Sequence, residues 1–457
     1  MDAYLKKDFH DLPSFIEIVK ASDFFMRSEP ITISRAPGRL DVMGGIADYS
    51  GSLVLQRPIS EATFVALQQS DAAKLEVVSL EEEGTSRVCS IDIDTLAPAG
   101  IPHHYSTVRD FFLLDRENHW ASYVVGAFFV LMVERGLRLQ SGAKILISST
   151  VPEGKGVASS AALEVAVMQA VSASFNCSVK PYDLALLCQK VENVIAGAPC
   201  GVMDQMTSVF GEEDSLLALL CQPAELQPPV TVPQEITFWG IDSGERHAVG
   251  GASYESVRTG AFMGRRILAS QMEDPVNYLA SISPSKFERQ FLSVLPEEVR
   301  GEEFLARYGE TGDDVTTVVP SRIYKVRQPT AHPIYENARV TRFRELLMSG
   351  SGEQRWTSLG ELMYQSHASY SACGLGSPGT DAIVELVRSS GPQDGLYGAR
   401  ITGGGSGGTV AVLGRADAEA AVAAVAERYR ERMGYRPLIF SGTSSGAATF
   451  GALTVNL

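Results

Sequence analysis

Cysteine is sparse and scattered: Cys89, Cys177, Cys188, Cys200, Cys221 and Cys373 include no C-x-x-C pair and no neighbouring histidine cluster. A disulfide framework and a cysteine-type zinc site are thereby excluded as organising features, and reduced, buried thiols are expected. No apolar segment approaches the length of a membrane span; the longest, YVVGAFFVLMV from Tyr123 to Val133, reads as a core helix. The opening residues, MDAYLKKDFHDLPSF, carry no apolar stretch of the secretory kind, so a cytoplasmic location is expected. Positive charge is in deficit: 39 Lys and Arg against 54 Asp and Glu leave a net charge of −15. That balance argues against nucleic acid or an anionic membrane as partner, while a small anionic ligand stays compatible with one locally positive site. Internal repeats and low-complexity tracts are likewise missing.

What is there is a globular composition, 45% hydrophobic and 20% charged over 457 residues, long enough for two cores. Strand-like stretches dominate from Ile31 to Ile93 (ITISRAP, GSLVLQRPI, TFVALQQ, LEVVSL, VCSIDI). Helical patterns follow in NHWASYVVGAFFVLMVERGL, SSAALEVAVMQAVSASF and PYDLALLCQKVENVIAG, with a strand AKILIS after the first; the last begins with a proline near its first turn and stops at Gly197. After the strand ITFWGID the pattern turns mostly helical, then closes with GARITG, TVAVLG, a long alanine-rich helix and RPLIFSG. Asp274 to Val326, rich in Pro, Ser, Gly and acidic residues, reads as an insertion or a mobile connection. An α+β architecture in two domains is expected, residues 1–240 and 241–457, with that insertion at 274–326.

Four stretches carry chemistry. In VPEGKGVASSAA (Val151 to Ala162) a strand turns through Gly154 and Gly156 into a helix beginning at Ser159 and Ser160. Helix N-termini present unpaired N–H groups and a positive dipole end, which favour an anion, and Lys155 adds charge. The same residues could equally be a serine-capped helix after a plain loop. ITGGGSGGT (Ile401 to Thr409) matches G-x-G-x-x-G, but a strand pattern follows it, so a glycine hairpin is expected rather than a dinucleotide fingerprint. In GAPCGVMDQMTS, Asp204 stands at a helix start after Glu192 on the preceding helix; it could cap that helix or act as a general base. RAPGRLDVMGGIADYSG (Arg35 to Gly51) sets an arginine and two carboxylates among residues of buried type.

Together and in this order the stretches resemble the GHMP kinase superfamily over nearly the whole chain, in its galactokinase and arabinokinase branch. The resemblance implies a ribosomal-protein-like N-terminal domain, a ferredoxin-like C-terminal domain, and a central cleft holding ATP, magnesium (Mg2+) and a monosaccharide. It implies that Asp204 is the base acting on the anomeric hydroxyl and that Arg39 stabilises the oxyanion and the transferring phosphoryl group. Such chemistry depends on positioning and charge neutralisation, and a cationic neighbour should keep Asp204 ionised. Gly154, Lys155, Gly156, Val157, Ala158, Ser159, Ser160 and Ala161 correspond to the phosphate-binding motif. Glu192 with Ser159 or Ser160 corresponds to the metal ligands, oxygen donors suited to a hard cation. Asp48 and Tyr254 correspond to sugar-binding groups.

The sequence departs from galactokinases at one turn. Where they read Gly-Glu-His-Thr-Asp-Tyr, this chain has Gly44, Gly45, Ile46, Ala47, Asp48, Tyr49. The glutamate that would accept a hydrogen bond from a sugar 6-hydroxyl is Gly45, and an apolar side chain stands at Ile46. A site built to bond a hydroxyl penalises an analogue lacking it, and this change lifts the penalty. L-Arabinose in its pyranose form has the hydroxyl pattern of D-galactose without the CH2OH group, so L-arabinose and its 1-phosphate are the expected substrate and product. A glutamate restored at 45 is expected to favour galactose. A galactokinase, a uronic-acid kinase using Arg57 or Lys155 against the carboxylate, and a silent sugar sensor remain alternatives. Oligomeric state is open between monomer and homodimer.

Overall fold

The computed structural model describes residues 11–81, 85–246, 252–272 and 277–456. The start of the expected insertion, 274–276, lies outside them. In chain order the strands are β1 Ile31–Met43, β2 Leu53–Ser70, β3 Lys74–Leu80, β4 Ser86–Asp92, β5 Gly142–Ser149, β6 Ser215–Leu220, β7 Glu225–Thr231, β8 Ile236–Asp242, β9 Glu298–Arg300, β10 Ile323–Lys325, β11 Leu396–Ile401, β12 Thr409–Arg415, β13 Ile439–Phe440 and β14 Ala452–Val455. One sheet runs β14-β1-β2-β5-β3-β4, with β6 on β2 and β7 on β6; a second runs β11-β12-β8-β13. The two stretches read as separate strands, GSLVLQRPI and TFVALQQ, are one long β2, nearly continuous in its burial.

The larger sheet shares a core with helices Ser122–Arg135, Ser159–Ser174, Pro181–Lys190 and Met203–Phe210. The YVVGAFFVLMV stretch is buried through Val124 to Met132, as a core helix should be, and ends at Gly136 in the left-handed conformation. A second cluster joins the sheets: Leu40, Val42 and Val157 pack with Phe238, Phe343 and Met363. The expected boundary near residue 240 falls inside β8, and the last strand, β14, returns to pair with β1. No helix among the described residues is long and apolar enough to cross a membrane.

The segment before Val326 is not a loose connection. It contains helices Pro284–Gln290 and Gly301–Tyr308 and the β9–β10 pair. Phe287, Phe291, Leu295, Phe304 and Tyr324 are buried in one core with Val257, Ile46 and Tyr49. Its polar composition hid a widely spaced set of aromatic anchors, and those anchors pack it against the turn that holds Asp48.

Candidate active site

The APGR stretch lies within β1. The register of β1 on β2 shifts between Pro37 and Arg39 and again between Asp41 and Met43; such bulges re-aim side chains. Gly38 is required by crowding: a Cβ there would lie 2.6 Å from the Val157 carbonyl and 2.8 Å from Val151. That close approach lets Arg39 N–H donate to the Val157 carbonyl at 3.0 Å, joining β1 to the glycine loop.

Arg39 then bridges the loop to Asp204. Its Nε and Nη2 donate to the two Asp204 carboxylate oxygens at 2.9 and 2.7 Å, while Nη1 donates to the Gly156 carbonyl at 2.7 Å. Asp204 sits in the first turn of helix Met203–Phe210, whose N-cap is Val202, so the capping alternative is not realised. Arg39 and Asp204 both face a cavity of about 730 Å3, including its mouth, that is also lined by Ile46, Asp48, Gly154, Gly156, Ala158, Ser159, Ser160, Glu192, Tyr254, Gly403 and Gly404.

The glycine loop passes through positive φ at Gly154, Gly156 and Ala158 before helix Ser159–Ser174 begins. No side chain caps that helix, so the serine-cap alternative also fails, and Ala158, Ser159 and Ser160 at its start line the cavity. Ser160 Oγ instead donates to Glu192 Oε1 at 2.8 Å. Glu192 lies on a π-helical turn, Val191–Ala196, ended by left-handed Gly197. Burial, and next the charge of Asp204, push its carboxyl up to about 7 against hydrogen bonds from Ser160, Cys200 and Gln205. Two hard oxygen donors facing one cavity suit a divalent cation that takes its other ligands from water and phosphate. Among the described residues no cluster of three or more His, Cys, Asp or Glu could hold a metal unaided.

Asp48 is nearly inaccessible in the 3-10 turn Gly45–Ser50. Burial pushes its carboxyl up to about 7, Asp204 adds to the push, and Arg258 opposes it. Gly201 makes room for it: a Cβ there would fall 1.7 Å from Asp48 Oδ2. Tyr254 meets Tyr49 edge-on, with ring centroids 6.2 Å apart.

Several expected residues point elsewhere. The Lys155 ammonium pairs with buried Asp242 at 2.8 Å and bonds Tyr435, because Asp242 would otherwise be a lone buried charge. Val157 and Ala161 are wholly buried packing residues. Gly45 is buried and absent from the lining, since the direction its side chain would take leads to Tyr370 and Asp41 rather than into the cavity. Arg57 donates to the Phe238 carbonyl. Neither Arg57 nor Lys155 lines the cavity.

Residues 122–212 match the GHMP kinases N terminal domain, 344–431 the GHMP kinases C terminal, and 22–69 the galactokinase galactose-binding signature. The chain is 30% identical to a galactokinase of Chloroflexus aggregans, over 92% of this chain and 94% of that protein. It belongs to the GHMP kinase family. An L-arabinokinase of Arabidopsis thaliana is 46% identical over 95% of this chain, which spans 48% of that relative, about half its length. A crystal structure of Lactococcus lactis galactokinase complexed with galactose superposes with a TM-score of 0.74 at 23% identity, covering 98% of this chain and all of that one.

In this GHMP kinase two further groups bind the cleft together. Asp41, wholly buried, accepts from Gly45 N–H at 3.1 Å, Gln56 at 2.7 Å, Gly403 N–H at 3.3 Å and Arg400 at 2.8 Å. It ties the Gly45–Ser50 turn to the glycine hairpin between β11 and β12, the hairpin expected in place of a dinucleotide motif. Arg258 donates to the Cys200 carbonyl at 3.2 Å and lies over the Tyr49 ring at 5.4 Å. Its spacing of four from Tyr254 on one helix was an available signal; Asp41 had none beyond its neighbourhood. A second cavity, sharing Gly154, Ser159 and Ser160 with the first, is lined by Arg87, Trp120, Tyr123 and Leu163. Its aromatic residues were hidden in what reads as a core helix.

Proposed function

We propose that the chain is an ATP-dependent sugar 1-kinase that transfers the terminal phosphoryl group to the anomeric hydroxyl of L-arabinose. The observation that carries this reading is the Arg39–Asp204 pair, held bidentately at the wall of a cavity that the phosphate-type loop also lines, with Arg39 bonded to that loop at Gly156. In-line transfer needs a base near the hydroxyl and fixed positive charge near the developing oxyanion. Asp204 would take the hydroxyl proton. Arg39 would then be released in part toward the incoming charge while its Gly156 bond keeps it in register.

The phosphates would lie against Gly154, Gly156, Ala158 and the first amides of helix Ser159–Ser174. Ser160 and Glu192, with Ser159 beside them, would hold Mg2+, which when bound neutralises charge on the phosphates. The cavity beside Trp120 is suited to the nucleotide base, by stacking on an aromatic face. Asp48 and Tyr254 would bond and cover the sugar ring. Ile46 lines the sugar end, and an apolar side chain there suits a pentopyranose. The uronic-acid alternative loses its two cations, since Arg57 and Lys155 are both engaged elsewhere. A two-domain division near residue 240, with β14 crossing back, and a cytoplasmic location belong to the same proposal.

The test is ATP turnover with L-arabinose, D-galactose and D-glucuronate side by side, with the phosphorylated carbon located by NMR. The highest kcat/KM is expected for L-arabinose, with phosphate on C1. ATP turnover unaffected by any of the sugars contradicts the reading.

A further inference from the structure

The glycine at position 45 is explained by a residue 325 positions away that no motif singles out. A Cβ on Gly45 would lie 1.5 Å from the Tyr370 hydroxyl oxygen, 2.7 Å from its Cζ and 2.8 Å from Asp41 Oδ2. Tyr370, on helix Glu353–Cys373, is wholly buried. Its ring is wedged between His332, edge-on at 5.1 Å, and the Arg400 guanidinium, 5.1 Å from the ring centre. Its hydroxyl accepts from Ile46 N–H at 2.7 Å and donates to the Gly403 carbonyl at 2.9 Å. Ile46 and Gly403 both line the cavity, whereas Tyr370 does not. One hydroxyl therefore fills the volume a side chain at 45 would need and pins two cavity walls from behind.

We propose that Tyr370 is a positioning residue for sugar selectivity, and that a Gly45–Tyr370 pair, rather than Gly45 alone, sets the preference for a sugar without an exocyclic CH2OH group. This rests on the reading of the cavity as a pentose site. It predicts, against the expectation from sequence, that a glutamate at 45 is not by itself enough to favour galactose. In the presence of Tyr370 any side chain at 45 must displace a ring locked by two hydrogen bonds, and the Ile46 wall moves with it. Removing the tyrosine clears the space in which a longer side chain at 45 could settle.

A double-mutant cycle with Gly45→Ala and Tyr370→Leu tests the pairing, because the backbone cost of alanine at φ +47° is common to both backgrounds and cancels. Gly45→Ala is expected to lower kcat/KM for L-arabinose at least about tenfold more in wild type than in Tyr370→Leu. Tyr370→Phe, which keeps the ring and leaves Ile46 N–H unpaired, should raise the sugar KM about tenfold with the ATP KM unchanged. Gly45→Glu with Tyr370→Leu should raise the galactose-to-arabinose ratio of kcat/KM about tenfold over Tyr370→Leu alone, and Gly45→Glu alone should not. Equal costs of Gly45→Ala in both backgrounds overturn the proposal, as does a galactose gain from Gly45→Glu alone. Thermal midpoints of the same four proteins report the packing pair separately. If they show coupling while the wild type prefers galactose, the pentose reading has failed and the selectivity role falls with it.

Discussion

Asp313 grips the Arg258 guanidinium with both carboxylate oxygens, at 2.9 and 2.8 Å, and both side chains are buried. Burial alone would raise the Asp313 carboxyl, yet the hydrogen bond and charge of Arg258 hold it below its ordinary range. The segment read as a mobile connection thus supplies the counter-charge for a cation that stacks on Tyr49 and opposes the upward shift of Asp48. Asp313→Ala leaves Arg258 uncompensated, which costs roughly 3 kcal/mol. A lowered melting temperature and a raised sugar KM with an unchanged ATP KM are expected. An unchanged sugar KM would separate the segment from the site.

Gly201→Ala places a methyl group within 1.7 Å of Asp48 Oδ2. The Asp48 carboxylate must move, since Gly201 is main chain of the loop before helix Met203–Phe210. The sugar KM should rise about tenfold or more, as when a buried polar partner is lost, while ATP binding measured by calorimetry stays the same.

Asp48 also predicts a pH signature. Its folded value near 7 lies above the ordinary carboxylate range, so the folded state holds a proton that the unfolded chain has released. The stability this contributes is complete below about pH 4 and is lost as pH rises to about 7. Replacing the group by an amide removes that loss. The melting temperature of Asp48→Asn relative to wild type should therefore be higher at about pH 8 than at about pH 5. Equal differences at both values would contradict the assignment.

Trp120→Ala tests the second cavity. The proposed stacking of the nucleotide base on Trp120 is worth about 1–3 kcal/mol, so the ATP KM should rise about tenfold or more while the sugar KM does not change.

Local patterns were read well where a single element decides them. Left-handed Gly136 and Gly197 end their helices where the sequence places a glycine, and the run Gly403 to Gly408 turns between two antiparallel strands as its strand-like sequel requires. The Arg39–Asp204 pair, 165 residues apart, was legible only because both stand in recognisable stretches. Asp313 and Tyr370 were not. Each acts through a contact made by packing, in segments whose own composition is unremarkable. The pairing of Lys155 was not legible either, because Asp242, its partner, looks like the end of an ordinary strand.

In the proposed reaction Asp204, held by Arg39, takes the proton from the sugar. Asp204→Asn keeps the volume but removes the base and one of the two acceptors that hold Arg39, so turnover with L-arabinose should fall by about 10²–10⁴-fold while calorimetric ATP binding is retained. Turnover within a few-fold of wild type in that variant would mean that Asp204 is not the base.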